Sequence, residues 1–203
     1  MSKCDAMVNG GFMVSEANFQ SITQYLQQFG DERRIPPLEQ WHPQYCGAMD
    51  LVIKANGQWW HEGQQIRRQK LIDLFSKVLW QEDGEYYLKT PVEKIKIQVE
   101  DAPLLIVAVD QVEIESVQYL QLTTQNQDIV LADSEHSIFM RAYTDEQGKI
   151  VMRPYLHVRF GLTALIQRNV FYHLLNYGEL IETAQGTGLK LKSGTAQFIL
   201  GME

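Results

Sequence analysis

The sequence predicts an α+β fold of two similar units, each a hairpin, a helix and further strands on a mainly antiparallel sheet. Three observations carry it. "VEKIKIQVE" alternates strictly, with Ile95, Ile97 and Val99 on one side, as a half-buried strand must. "RRQKLIDLFSKVLWQ" places Leu71, Ile72, Phe75, Val78 and Leu79 on one helical face. Hairpin, helix and strands then occur a second time, at an offset of about 91 residues read from Gly57 to Gly148.

The elements follow in order. "SEANFQSITQYLQQFG" reads as a helix capped by Ser15 and ended by Gly30, with Phe19, Ile22, Leu26 and Phe29 on one face. "DERRIPPLEQWHP" is an extended, proline-rich connector in which Trp41 plugs a groove. "AMDLVIKANGQWWHEGQQI" is a hairpin whose Asn56–Gly57 pair suits a type I′ turn. A helix is expected near 67–80, then a turn at Glu82–Gly84 and strands through "EYYLKT", "PLLIVAVDQVEI", "QYLQLTT" and "DIVLA". "SIFMRAYTDEQGKIVMRPYLHV" is the second hairpin, with its turn at Asp145–Gly148. "GLTALIQRNVFYHLLNYG" is the second amphipathic helix, expected near 162–177, and "TGLKLKSGTAQFILG" a final strand pair. The expected division is a helix and connector over 1–45, a first unit over 46–125 and a second over 126–203. Each unit alone is small for a core, so the two are expected to pack together, with a ligand pocket where they meet.

Composition bounds the function. A chain of 203 residues with 45% hydrophobic and 21% charged residues is an ordinary globular one. Its formal net charge of −7 argues against a nucleic-acid binder, which needs a basic surface to displace counterions. No aliphatic run is long enough to cross a membrane, and the N-terminus lacks the pattern of a secretory signal. Cys4 and Cys46 match no zinc spacing, and a cytoplasmic location, where thiols stay reduced, is the expectation.

The motif search excludes more than it finds. The five histidines, His42, His61, His136, His157 and His173, are not at metal-ligand spacing, so no metal is expected. No G-x-S-x-G elbow occurs, and Ser137 beside His136 is no triad. "GTGLKLKSG" lacks the Walker pattern and reads as a strand between turns, so no nucleotide cofactor is implied. Glu113 and Glu115 share one face of a strand, a solvated one.

Five residues are the ligand-binding candidates. Trp59 and Trp60 alternate along a strand, so one packs in the core and the other is available to stack on a ligand; Trp59 is taken as the candidate. Arg67, ahead of the first main helix, is either a carboxylate's partner, with Glu93, Glu100 and Asp101 as natural acids, or a clamp for an anionic ligand. Tyr155, His157 and Arg159 stand at i, i+2 and i+4 on a strand and share a face. They offer a hydroxyl, an imidazole and a cation to an anionic small molecule. The plainer alternative pairs Arg159 with an acid of the first unit.

Several motifs together resemble a family. They are Trp41, Pro43, Cys46 and Gly47; Gly57 and Trp59; Gly63, Ile66 and Arg67; Leu71, Leu74 and Phe75; Thr90 to Lys94; and Val99 to Pro103. Pro154, Tyr155, Arg159, Gly161, Leu162, Arg168 and Tyr172 continue the pattern. In these the chain resembles the DUF1285 family of proteobacteria, a family of unknown function, from Trp41 onward. Leu104 departs from it where an aromatic is expected. The resemblance implies a two-unit α+β fold with repeated motifs and a role in ligand sensing or signalling, and it transfers no catalytic residue. The leading expectation is a non-enzymatic, ligand-binding or regulatory protein. The alternatives are an enzyme drawing on Tyr155, Arg159, Arg168, Tyr172 and Glu93, and a homo-oligomeric interaction module.

Overall fold

Strand pairing organises this chain. The computed structural model describes residues 35–184 and 186–201, with Gln20, Ile22 and Thr23. The rest of the helix expected over 15–30 lies outside the described residues. The chain divides into two compact units, Met1–Glu100 and Asp101–Glu203.

The first unit contains β1 (Tyr45–Ile53), β2 (Trp59–His61), β3 (Gln64–Gln65), α1 (Gln69–Lys77), β4 (Leu79–Glu82), β5 (Glu85–Lys89) and β6 (Lys94–Val99). Its sheet runs β3-β2-β1-β6-β5-β4, antiparallel throughout except for the parallel pair β1/β6. In β6 the alternation works as expected: Ile95 and Ile97 are buried while Gln98 is exposed. Helix α1 buries Ile72 and Phe75, and Phe75 stacks on Trp59 at 6.1 Å between ring centroids.

The second unit opens with β7 (Leu104–Ile114), β8 (Val117–Thr124), β9 (Ile129–Leu131), β10 (Ile138–Thr144), β11 (Ile150–Arg159) and β12 (Leu162–Ile166). Their order is β10-β11-β12-β7-β8-β9, with β12/β7 the parallel pair. Helix α2 (Arg168–Leu174) and a 3₁₀ turn (Leu175–Tyr177) lead into a separate three-stranded sheet of β13 (Gly178–Thr183), β14 (Gly186–Ser193) and β15 (Ala196–Gly201). Ser193 ties that sheet to its neighbour: its buried hydroxyl donates to Ala132 O at 2.6 Å and accepts from Leu120 N–H at 2.9 Å.

The two six-stranded sheets have one topology. Counted from its own first strand, each reads 3-2-1-6-5-4, two antiparallel meanders joined where the first strand lies parallel to the sixth. The repeat is therefore present, but its equivalences differ from those expected. The Gly57 hairpin, β1–β2, corresponds to β7–β8, and the Gly148 hairpin, β10–β11, corresponds to β4–β5. Strands β7–β9 belong with the later strands, so the division falls after Glu100 and not after residue 125.

The helices are slighter than expected, nine and seven residues long, so sheet dominates the α+β content. The stretch 162–166, expected as helix, is strand β12. It pairs with β11 on one side and β7 on the other, and Leu162, Thr163, Ala164 and Ile166 are all buried. A central strand covered on both faces has no alternation to display, so its apolar run mimics a helix start. No helix among the described residues is long and apolar enough to cross a membrane. Cys46 is disulfide-bonded, against the expectation of free thiols; the sequence's other cysteine, Cys4, lies outside the described residues.

The turns sort by backbone sign. Gly57 and Gly148 have φ of 81° and 79° as expected, yet neither closes a two-residue loop. Gly57 N–H donates to Lys54 O and Lys54 N–H to Gln58 O, and Gly148, Asp145 and Lys149 repeat the pattern. These are three-residue loops with a left-handed glycine, in place of the expected type I′ turn at Asn56–Gly57. Type I′ geometry appears instead at Asp83–Gly84 and at Glu115–Ser116, where both central residues have positive φ. Neither Glu115 nor Ser116 is suited to that region, which costs a non-glycine residue about 1–2 kcal/mol. Ser116→Gly is therefore expected to stabilise the protein by about 0.5–1 kcal/mol and Gly57→Val to destabilise it by about 1 kcal/mol or more. Urea unfolding of both variants checks this; equal midpoints for all three proteins would overturn the turn assignment.

Candidate functional site

Period-two alternation places six chemically distinctive side chains on one face of the β10–β11 ribbon. Phe139 lies opposite Tyr155 and Arg141 opposite Arg153, so Phe139, Arg141 and Tyr143 share a face with Arg153, Tyr155 and His157. Beneath them is Asp101, its side chain only 2% exposed. Asp101 Oδ1 accepts from Arg141 Nη2 at 2.8 Å and from Tyr155 Oη at 2.6 Å, and Oδ2 accepts from Arg153 Nη1 at 3.0 Å. Arg141 Nη2 also donates to the Asp101 carbonyl at 3.2 Å.

The electrostatics follow from this count of charges. One carboxylate faces two guanidiniums, so the cluster carries a local excess of one positive charge. Each guanidinium lies over a tyrosine ring, Arg141 at 3.9 Å from Tyr155 and Arg153 at 3.7 Å from Tyr143. Ring and carboxylate together fix the planes of both cations. Their side chains remain 37% and 27% exposed, and most of their N–H groups are not spent on Asp101. Tyr155 is fully buried, and burial followed by its hydrogen bond to Asp101 pushes its hydroxyl up to about 12, so it stays a neutral donor. His157 stacks on Phe139 at 4.5 Å. Partial desolvation, then the charge of Arg141 and of His136, holds its imidazole below the ordinary histidine value. His136 itself is oriented by Asp133, 3.0 Å from Nδ1.

Comparison with known proteins is informative on family alone. Residues 36–102 match the N-terminal domain of DUF1285, a domain of unknown function, and residues 103–200 match the C-terminal domain of DUF1285, a protein of unknown function. The chain belongs to the DUF1285 family. A crystal structure of a DUF1285 family protein from Silicibacter pomeroyi is 32% identical, with a TM-score of 0.74 over 88% of this chain and 92% of that one. A second, from Shewanella baltica, is also 32% identical, covering 62% of this chain and 90% of that one with a TM-score of 0.47. No curated protein matches the chain.

The motifs that resemble DUF1285 are in large part turn and anchoring chemistry. Thr90 Oγ1 accepts from the N–H groups of Val92 and Glu93, folding the Thr-Pro-Val-Glu corner. Gly47, Gly63 and Gly161 have positive φ. In Val99–Pro103 the two acids divide their work. Glu100 accepts from Lys54 Nζ at 2.6 Å and from Ala55 N–H at 3.0 Å, whereas Asp101 holds the arginine cluster. Neither acid is paired with Arg67, for which both were expected as natural partners.

The five candidates separate. Tyr155 and His157 lie on the shared face. Arg159 does not join them: the β11–β12 register shifts between His157 and Arg159, and Arg159 Nη1 reaches Asp128 Oδ2 at 2.5 Å. That acid belongs to the same unit as Arg159, contrary to the expectation of a first-unit partner. Trp59, 2% exposed, is core. Trp60 donates from Nε1 to Gln58 at 3.2 Å. Arg67 lies between β3 and α1 and has no ion pair with an acid among the described residues. The acid–base cluster of the enzyme alternative is distributed over separate pairings, Tyr155 with Asp101, Arg159 with Asp128, and Arg168 with Tyr172 at 3.1–3.2 Å. Asp101, Arg141 and Arg153 were not among the sequence candidates. The alternation in "IFMRAYT" and "VMRPYLHV" would have placed both arginines beside Tyr155, but nothing local marks Asp101 as their partner.

Two predictions follow from these pairings. Asp101→Asn is expected to cost about 2–3 kcal/mol, since it removes the charge that orients two partly buried cations, and Arg159→Gln about 1–3 kcal/mol, by leaving Asp128 uncompensated. Denaturant titration measures both; a change under about 0.5 kcal/mol in either would remove that pairing from the account. The second concerns pH. Tyrosine in the unfolded chain ionises near pH 10 and Tyr155 in the folded protein only near 12. Above pH 10 the unfolded state loses its proton first, so stability present below pH 10 is lost between 10 and 12. Tyr155→Phe is expected to flatten that part of the alkaline limb, and an unchanged slope would contradict it.

Proposed function

We propose that this protein binds an anionic small molecule without transforming it, as a ligand-binding or regulatory protein, on the arginine face of the β10–β11 ribbon. The observation that carries the reading is the use of one buried carboxylate to orient two guanidiniums whose side chains stay partly exposed. A carboxylate that merely neutralised a cation needs one arginine; two leave a positive charge uncompensated, and fixed guanidinium forks suit bidentate recognition of an anion. Non-catalytic binding is favoured because Tyr155 is held neutral and engaged by Asp101, leaving it poorly placed to move a proton.

The test is calorimetric titration with inorganic phosphate, acetate, citrate, benzoate and adenosine monophosphate at low ionic strength. At least one is expected to bind, with affinity falling tenfold or more in Arg141→Gln and in Arg153→Gln, about 1.4 kcal/mol or more in each. Circular dichroism confirms that the variants are folded. Binding by none of the panel, or equal binding by parent and both variants, overturns the reading.

A further inference from the structure

We infer that the ligand of this face is a planar monoanion, a small aromatic or heteroaromatic carboxylate. The inference rests on the anion-binding reading above and narrows it. Three features of the face point this way.

The first is charge. Two arginines against Asp101 leave one positive charge, which a single carboxylate neutralises, whereas a phosphate dianion would bring one negative charge in excess. The second is the presentation of the cations. Each guanidinium has one flat side on a tyrosine ring, at 3.9 Å and 3.7 Å, and keeps part of its surface open. A flat cation backed by a ring is a stacking surface for a second conjugated plane as well as a fork for a carboxylate. The third is the wall beside Arg141. Phe139 stacks on Tyr155 at 5.8 Å and 27°, and His157 on Phe139 at 4.5 Å and 22°. The imidazole, held below its ordinary value, contributes at neutral pH a ring and not a further cation. The face thus presents near-parallel aromatic planes next to the fixed cations, an arrangement that rewards flatness in what binds.

The experiment compares benzoate with cyclohexanecarboxylate, which matches it in charge and size but not in planarity, and with acetate and inorganic phosphate. Each is titrated into the ¹⁵N-labelled full chain, following amide shifts. Benzoate is expected to bind roughly fivefold or more tightly than cyclohexanecarboxylate, from the worth of one desolvated cation–ring contact, with the shifts centred on 139–143 and 153–157. Arg141→Lys keeps the charge and loses both the fork and the plane; it is expected to weaken every carboxylate and to abolish the preference for benzoate over cyclohexanecarboxylate. Phe139→Leu is expected to reduce the preference for benzoate as well, so the result does not depend on one variant folding. Equal affinity for benzoate and cyclohexanecarboxylate, or tighter binding of phosphate than of either, overturns the planar-carboxylate inference while the anion site stands. Failure of all four to bind overturns this inference, and failure of citrate and adenosine monophosphate as well overturns the anion reading with it.

Discussion

Each six-stranded sheet of this protein depends on a parallel seam between its first strand and its sixth. An antiparallel meander needs only a tight turn to form, but a three-stranded meander has two open edges and little core of its own. Pairing β1 with β6, and β7 with β12, joins two such meanders into a six-stranded sheet. The seam in the second unit is the more completely buried: Leu104, Leu105 and Ile106 face Ala164, Leu165 and Ile166 in register, and only Leu165 among them is less than fully buried. Parallel pairing cannot be closed by a short loop, so it fixes which segments are neighbours across 46–49 residues of chain in the first unit and 60 in the second. That constraint makes the two units alike in topology although they share little sequence and carry their helices at different places.

The seam also positions the candidate site. Strand β7 begins just after Asp101–Pro103 and pairs with β12, which pairs with β11, and so Asp101 is brought to the ribbon of β11 and the edge strand β10. The arginines come from the outer pair, where side chains on one face are free to meet solvent. A buried carboxylate drawn from the start of the unit and cations drawn from its outer strands form the cluster, and each member is partnered: two cations and a phenol for the acid, a ring for each cation. A desolvated acid with this many donors is far less costly than one left alone. The cluster therefore serves folding, and the parts of it left exposed are the cationic ones.

The family motifs divide along the same line. Glycines with positive φ and the Thr90 corner set where strands reverse. Glu100 closes the β1–β2 loop through Lys54 and Ala55, and the next residue, Asp101, opens the second unit's polar core. Adjacent acids of similar chemistry thus do unrelated work because the chain passes from one unit to the other between them. The DUF1285 match spans both units, residues 36–102 and 103–200.

By itself the sequence determined the local periods and where they break. The alternation of Ile95 and Ile97, the apolar face of α1, and the glycines at 57 and 148 were legible because side-chain direction and φ sign are properties of a few neighbouring residues. Tyr155 and His157 were legible as a pair for the same reason. Only the tertiary structure decided which segments pair. Strand β12 hid as the start of a helix, since a strand buried on both faces shows no alternation. The bulge that turns Arg159 away toward Asp128 breaks the i, i+4 rule by which it was expected to stay with Tyr155. Asp101 meets Arg141 and Tyr155 across 40 and 54 residues, a separation over which no local pattern carries information. Charge balance in the candidate site is set by that long-range pairing, and so the sequence could supply the ingredients of the site but not its composition.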